Sequence, residues 1–136
     1  MIKKFTLIDD DEIFVLLTSK FIEGTGLVEH IQTFDNGLDA IEFFSKNWQT
    51  ASEIPEIMLV DLSMPILDGW QFIEEFAAIK KNINKRIDIY VCTSSISPND
   101  VERAKNISDI VDFLIKPISK EKLAEIATVY LENKTV

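Results

Sequence analysis

Three aspartates in succession, Asp9-Asp10-Asp11, follow the apolar run "FTLI", and a fourth, Asp61, follows "IMLV". Thr93 closes "IDIYVCT" and Lys116 closes "DIVDFLIK". Taken singly, each residue has an ordinary explanation. An acid after a strand caps a helix or forms a turn, a threonine suits a strand, and a lysine before proline is solvated. Taken together, they put three carboxylates, a hydroxyl and an ammonium at the ends of apolar runs, a coincidence that turn chemistry does not account for. Clustered carboxylates repel, and all stay ionised only when a cation joins them. With one histidine and one cysteine in the chain, an all-oxygen site formed by Asp9, Asp10 and Asp61 suits Mg²⁺ rather than zinc. A carboxylate beside that ion, with Lys116 and Thr93 close by, is placed to attack phosphorus while the positive charges neutralise the phosphoryl oxygens. The chemistry these residues imply is phosphorylation of an aspartate.

Such a site needs elements that bring the run ends together. Five short stretches rich in Ile, Val, Leu and Phe read as strands: Lys4 to Asp9, Val28 to Phe34, Glu56 to Asp61, Ile87 to Thr93 and Asp109 to Lys116. Helical spacing occupies the intervals. Ile13, Leu16, Leu17 and Phe21 form the expected apolar face of the first helix, and Ala40, Ile41, Phe44 and Trp48 that of the second. Phe72, Phe76 and Ile79 serve the third, a short polar "PNDVERAKN" forms the fourth, and Leu123, Ile126, Ala127 and Tyr130 serve the fifth. Asp11 and Asp68 are expected to cap helices, as is Ser97 before Pro98, and Gly24 and Gly26 to close the first helix. Strands alternating with helices imply a parallel sheet covered on both faces. Such sheets bind ligands at the carboxyl ends of their strands.

Composition narrows the function classes. A chain of 136 residues with 46% apolar and 27% charged residues suits one globular domain. The net charge of −9 disfavours nonspecific nucleic-acid or anionic-membrane binding, which needs a basic footprint. Cys92 alone excludes an internal disulfide and reads as a buried strand thiol; His30 reads as a surface strand residue. No apolar stretch approaches a membrane span, and acids follow the first residues too soon for a signal peptide, so a cytoplasmic location is expected.

The stretches "LIDDDE", "VDLSMPILDG", "CTSS" and "LIKP", in this order and spacing, make the chain resemble the receiver domain of two-component response regulators from about Lys4 to about Leu131. The resemblance implies a flavodoxin-like α/β fold, a doubly wound five-stranded parallel sheet of order 2-1-3-4-5 with five helices. It makes Asp61 the phosphoacceptor, Asp9 and Asp10 the acidic pair with Asp10 the direct Mg²⁺ ligand, and the backbone carbonyl of Ser63 a further ligand. Thr93 becomes the switch hydroxyl, Lys116 the phosphate-pairing lysine and Phe113 the switch aromatic, with a cis Lys116–Pro117 bond. A histidine kinase or histidine phosphotransfer protein is the implied phosphodonor. The face formed by the fourth helix, fifth strand and fifth helix would engage a downstream partner or a second phosphorylated copy.

Phe113 stands where tyrosine is frequent in the family, Ser95 occupies a position that modulates dephosphorylation, and the loop 46–56 is longer than in minimal receivers. The chain is expected to be a single receiver domain over residues 1–136 without an output domain, and a signalling phosphoacceptor rather than an enzyme. Two rivals are a Mg²⁺-dependent phosphohydrolase with an aspartyl nucleophile, suggested by the Asp9/Asp11 spacing, and a pseudo-receiver that only binds partners. A dinucleotide site at "GTGLVE" lacks its third glycine and follows a helix, and is rejected.

Overall fold

The computed structural model describes residues 1–95 and 97–133, so Ile96 and the last three residues of the expected domain lie outside it. Strands β1 (Ile2–Ile8), β2 (Val28–Phe34), β3 (Ile57–Asp61), β4 (Asp88–Thr93) and β5 (Ile110–Ile115) alternate with helices α1 (Glu12–Gly24), α2 (Gly37–Asn47), α3 (Gly69–Lys80), α4 (Pro98–Lys105) and α5 (Lys120–Glu132). The strands form one parallel sheet in the order β2-β1-β3-β4-β5, as expected. Among the described residues no helix is long and apolar enough to cross a membrane.

Alternation along the strands divides the core into two layers. Met58 and Val60 of β3 face α2, α3 and α4 with Phe44, Phe72, Phe76 and Ala104. Ile57 and Leu59 face α1 and α5 with Phe14, Ile22, Leu123 and Ile126. Because β3 is buried on both faces, it reads as an unbroken apolar run rather than an alternating one. That is the local reason "IMLV" leads without interruption into Asp61. The Phe44, Phe76 and Phe72 rings follow one another at 5.3 and 5.5 Å between centroids. Burying each contributes about 2–3 kcal/mol.

Capping sets where the helices begin. Asp11 Oδ1 accepts the N–H groups of Ile13 and Phe14 at 3.1 Å each. Asp68 forms a capping box with Gln71, and Ser119 caps through the Lys122 N–H. Gly24 is the last residue of α1, and Gly26 follows in the left-handed conformation with φ of 69°.

Two expectations are corrected. Ser97 occupies the N-cap position of α4, but its hydroxyl makes no capping bond; Pro98 at the first helical position already removes one of the free N–H groups. The buried residues of α1 are Phe14, Thr18 and Ile22, while Ile13, Leu16 and Leu17 are exposed, Ile13 to 72%. This helix carries apolar residues around most of its circumference, so periodicity admits two candidate faces. The docking of α1 against α5 selects one.

Candidate functional site

The carboxyl edge of the sheet collects the predicted residues. β1 ends one position before Asp9, and β3 ends at Asp61; both side chains are only 3% exposed. Asp10 is exposed, and one carboxylate oxygen from each of Asp9, Asp10 and Asp61 can be chosen so that all lie within 4.8 Å of one another. Asp9 Oδ1 accepts the Asp11 N–H at 2.9 Å, and Asp61 Oδ1 accepts the Ser63 N–H at 3.1 Å. These bonds fix both carboxyl groups from their own turns, leaving the second oxygens free for the site.

Lys116 enters from the end of β5. Its Nζ lies 2.7 Å from Asp9 Oδ2 and 3.5 Å from Asp61 Oδ2. The close approach to Asp9 is an ion pair outside hydrogen-bond geometry, so Asp9 Oδ2 remains a buried oxygen without a hydrogen bond. The ammonium also sits 4.5 Å above the centre of the Phe14 ring. The Lys116 N–H donates to the Thr93 carbonyl at 2.8 Å, tying the ends of β4 and β5 together, and the Lys116–Pro117 bond is cis. Thr93 is buried at the end of β4, where its Oγ1 accepts a long 3.4 Å bond from the Ser95 N–H. Phe113 is not part of the cluster. It is half-buried on β5 against the α2–α3–α4 side of the core.

Gly69 governs the approach of α3. A Cβ there would lie 2.4 Å from the Asp61 carbonyl oxygen and 2.8 Å from the Leu62 Cα, so only glycine lets the helix start this close. In the turn before it, Ile66 is 81% exposed at φ of 71°, a conformation that β-branched residues rarely adopt.

The electrostatics are unbalanced. Among the described residues, one ammonium stands beside three carboxylates. Burial, and then the charge of Asp9, push the Asp61 carboxyl up to about 6 against the opposing influence of the Ser63 N–H and Lys116. Burial alone would lower the Lys116 ammonium, but its contact with Asp9 and the fields of Asp9 and Asp61 leave it above its usual value. A buried carboxylate oxygen without a hydrogen bond, in a group of oxygen donors, fits a hard cation.

A profile described as the response regulator receiver domain matches residues 5–128. The chain belongs to the response regulator receiver family. Sporulation initiation phosphotransferase F of Bacillus subtilis is 25% identical over 99% of this chain and 98% of its own length. Hybrid signal transduction histidine kinase L of Dictyostelium discoideum is 24% identical over 98% of this chain, which spans only 8% of that protein. A two-component response regulator from Cytophaga hutchinsonii superimposes with a TM-score of 0.84 at 27% identity, covering 97% of this chain and 98% of that one.

Within this receiver domain, Asp9, Asp10, Asp61 and Lys116 stand together as the sequence suggested. Phe14 and Gly69 are the contributors that sequence reasoning missed. Phe14 begins the Phe14–Thr18–Ile22 stripe at four-residue spacing, a signal present in the sequence but hidden by the apolar residues around it. The need for glycine at position 69 is a tertiary contact, and local pattern carries no trace of it.

Proposed function

We propose that this receiver domain accepts a phosphoryl group on Asp61 from a phosphohistidine of a histidine kinase or histidine phosphotransfer protein. The observation that carries the reading is the pair of buried acids Asp9 and Asp61, gathered with exposed Asp10 and paired with the Lys116 ammonium. Asp9, Asp10, Asp61 and the Ser63 carbonyl would hold Mg²⁺, which supplies positive charge to the phosphoryl oxygens. An Asp61 carboxylate oxygen forms the new bond to phosphorus, and the P–N bond to the donor imidazole breaks with its electrons leaving on nitrogen. Lys116, 3.5 Å from Asp61 Oδ2, is suited to pair with a phosphoryl oxygen. Phe14 beneath the ammonium limits where it can go.

The exposed Ile13, Leu16 and Leu17 on α1 lie just after the acidic run and suit a phosphodonor protein better than water. For output, a phosphoryl oxygen gives the Thr93 hydroxyl, whose oxygen accepts only the long bond from the Ser95 N–H, an acceptor to donate to. Its shift opens space for Phe113 to rotate inward, altering the face of α4, β5 and α5. The size of the switch is limited by how differently the phosphoryl group interacts with the two arrangements.

Intact-mass measurement after treatment with acetyl phosphate and Mg²⁺ tests the reading. The native chain should gain one phosphoryl group per molecule, and Asp61→Asn none. Continuous phosphate release instead of a single slow turnover would favour the phosphohydrolase. Absence of modification in the native chain would favour the pseudo-receiver. In a parallel titration, Mg²⁺ should raise the thermal midpoint of the native chain and leave that of Asp10→Ala nearly unchanged.

A further inference from the structure

Helix α4 is poorly anchored for an element placed beside the site. It has eight residues, only Ala104 is buried, and its N-cap hydroxyl is idle. What reaches it most specifically is Trp70, the second residue of α3. The buried indole donates its Nε1–H to Asp100 Oδ1 at 3.1 Å, and the Arg103 guanidinium lies 4.6 Å above the ring. Asp100 is in the first turn of α4, where the helix dipole favours a negative charge, and Arg103 is one turn further on. One aromatic side chain thus grips two consecutive turns of α4 by different forces. Neither partner is in the Asp61 cluster.

The other end of this grip is fixed to the phosphoacceptor. Trp70 follows Gly69, whose backbone is pressed against the Asp61 carbonyl and whose N–H donates to the Leu62 carbonyl at 3.2 Å. The Gly69 N–H bond to Leu62, and an approach too close to the Asp61 carbonyl for any Cβ, tie the start of α3 to the Asp61–Leu62 backbone.

We propose that Trp70 is the positioning residue that latches α4, and that it couples α4 to the backbone of Asp61 by a route independent of Thr93 and Phe113. The trigger rests on the phosphoacceptor reading above; the latch itself does not. In the resting chain the indole hydrogen bond and the stacked guanidinium hold α4 in one position. Modification of Asp61 moves the turn that carries Trp70 and so loosens the grip. A hydrogen bond to a charged acceptor at a half-buried site changes such an equilibrium on the order of tenfold.

Amide hydrogen exchange of the full chain tests this with Trp70→Phe, Asp100→Ala, Asp100→Asn and the Trp70→Phe/Asp100→Ala pair. The α4 amides should exchange about tenfold faster in either of the first two variants, with α5 amides unchanged. The pair should fall short of the sum of the two single effects, because both remove the same bond. Asp100→Asn keeps an oxygen acceptor and should fall between Asp100→Ala and the native chain. With Mg²⁺ present, the beryllofluoride concentration that half-saturates the shift of α4 resonances should fall by about the same factor. A merely structural role predicts a lower thermal midpoint with exchange raised throughout, and that result overturns the latch. Native exchange rates in α4 of both Trp70→Phe and Asp100→Ala also overturn it. If the native chain takes no phosphoryl group from acetyl phosphate, the phosphoacceptor reading fails, while the exchange measurement still decides whether Trp70 holds α4.

Discussion

The two ends of the sheet hold buried carboxylates in opposite ways. At the amino end, Glu56 accepts the Lys4 N–H at 2.8 Å on one oxygen and faces Lys85 Nζ at 2.6 Å with the other. Asp88 receives a two-pronged bond from Arg86, at 2.9 and 2.8 Å, and the guanidinium stacks 4.5 Å over Tyr130. Each of these acids has its own cation, with backbone or aromatic support. Lys85 also donates to the Ile54 carbonyl at 2.6 Å, so the connection between α2 and β3, residues 48–56, is fastened to this end. At the carboxyl end, among the described residues, Asp9 and Asp61 share Lys116 with exposed Asp10 beside them, and Asp9 Oδ2 goes without a hydrogen bond. Burial of charge therefore does not distinguish a site from scaffold in this receiver domain. The missing counter-charge does.

If the comparison holds, removing an acid should have opposite signs at the two ends. Glu56→Ala leaves Lys85 and the Lys4 N–H without their carboxylate, and should cost about 3 kcal/mol in urea unfolding. A loss below about 1 kcal/mol would break the distinction at its stronger end.

Asp61→Asn should instead stabilise the metal-free chain. The folded Asp61 carboxyl lies at about 6 against an ordinary 3.8, so between those values the folded state binds more protons than the unfolded one. Stability then falls as pH rises through this window, and the penalty is complete above about pH 6. Asn removes it. Unfolding in the presence of a chelator should show a gain of about 3 kcal/mol at neutral pH, and little or none below about pH 4. A gain of equal size at both pH values would mean that charge is not its source.

The smallest effect sharpens the account of Lys116 at the carboxyl end. A double-variant cycle between Phe14→Leu and Lys116→Met should give a coupling of about 0.5–1 kcal/mol, the size of a partly screened cation–π contact. Additive losses would show that Phe14 only fills space.

Much of this arrangement was legible in the sequence. Each strand is a compact run of branched and aromatic residues followed by turn or cap chemistry, so β2 was bounded correctly and the others to within two residues at either end. Asp9, Asp61, Thr93 and Lys116 could be recognised because parallel strands bring their carboxyl ends to one edge whatever the details of packing. Hydrophobic alternation and capping act over a few residues, and a sequence displays them directly. What only the tertiary structure decided involves contacts between distant segments. It chose Phe14, Thr18 and Ile22 over Ile13, Leu16 and Leu17 as the inner face of α1, because docking on α5 breaks a tie that periodicity leaves open. It put Phe14 under Lys116, joined Trp70 to Asp100 and Arg103 across some thirty residues of chain, and gave Glu56 a lysine of its own while Asp9 and Asp61 share one. Charge balance at a buried point depends on everything that packs around it, and no local window of sequence contains that sum.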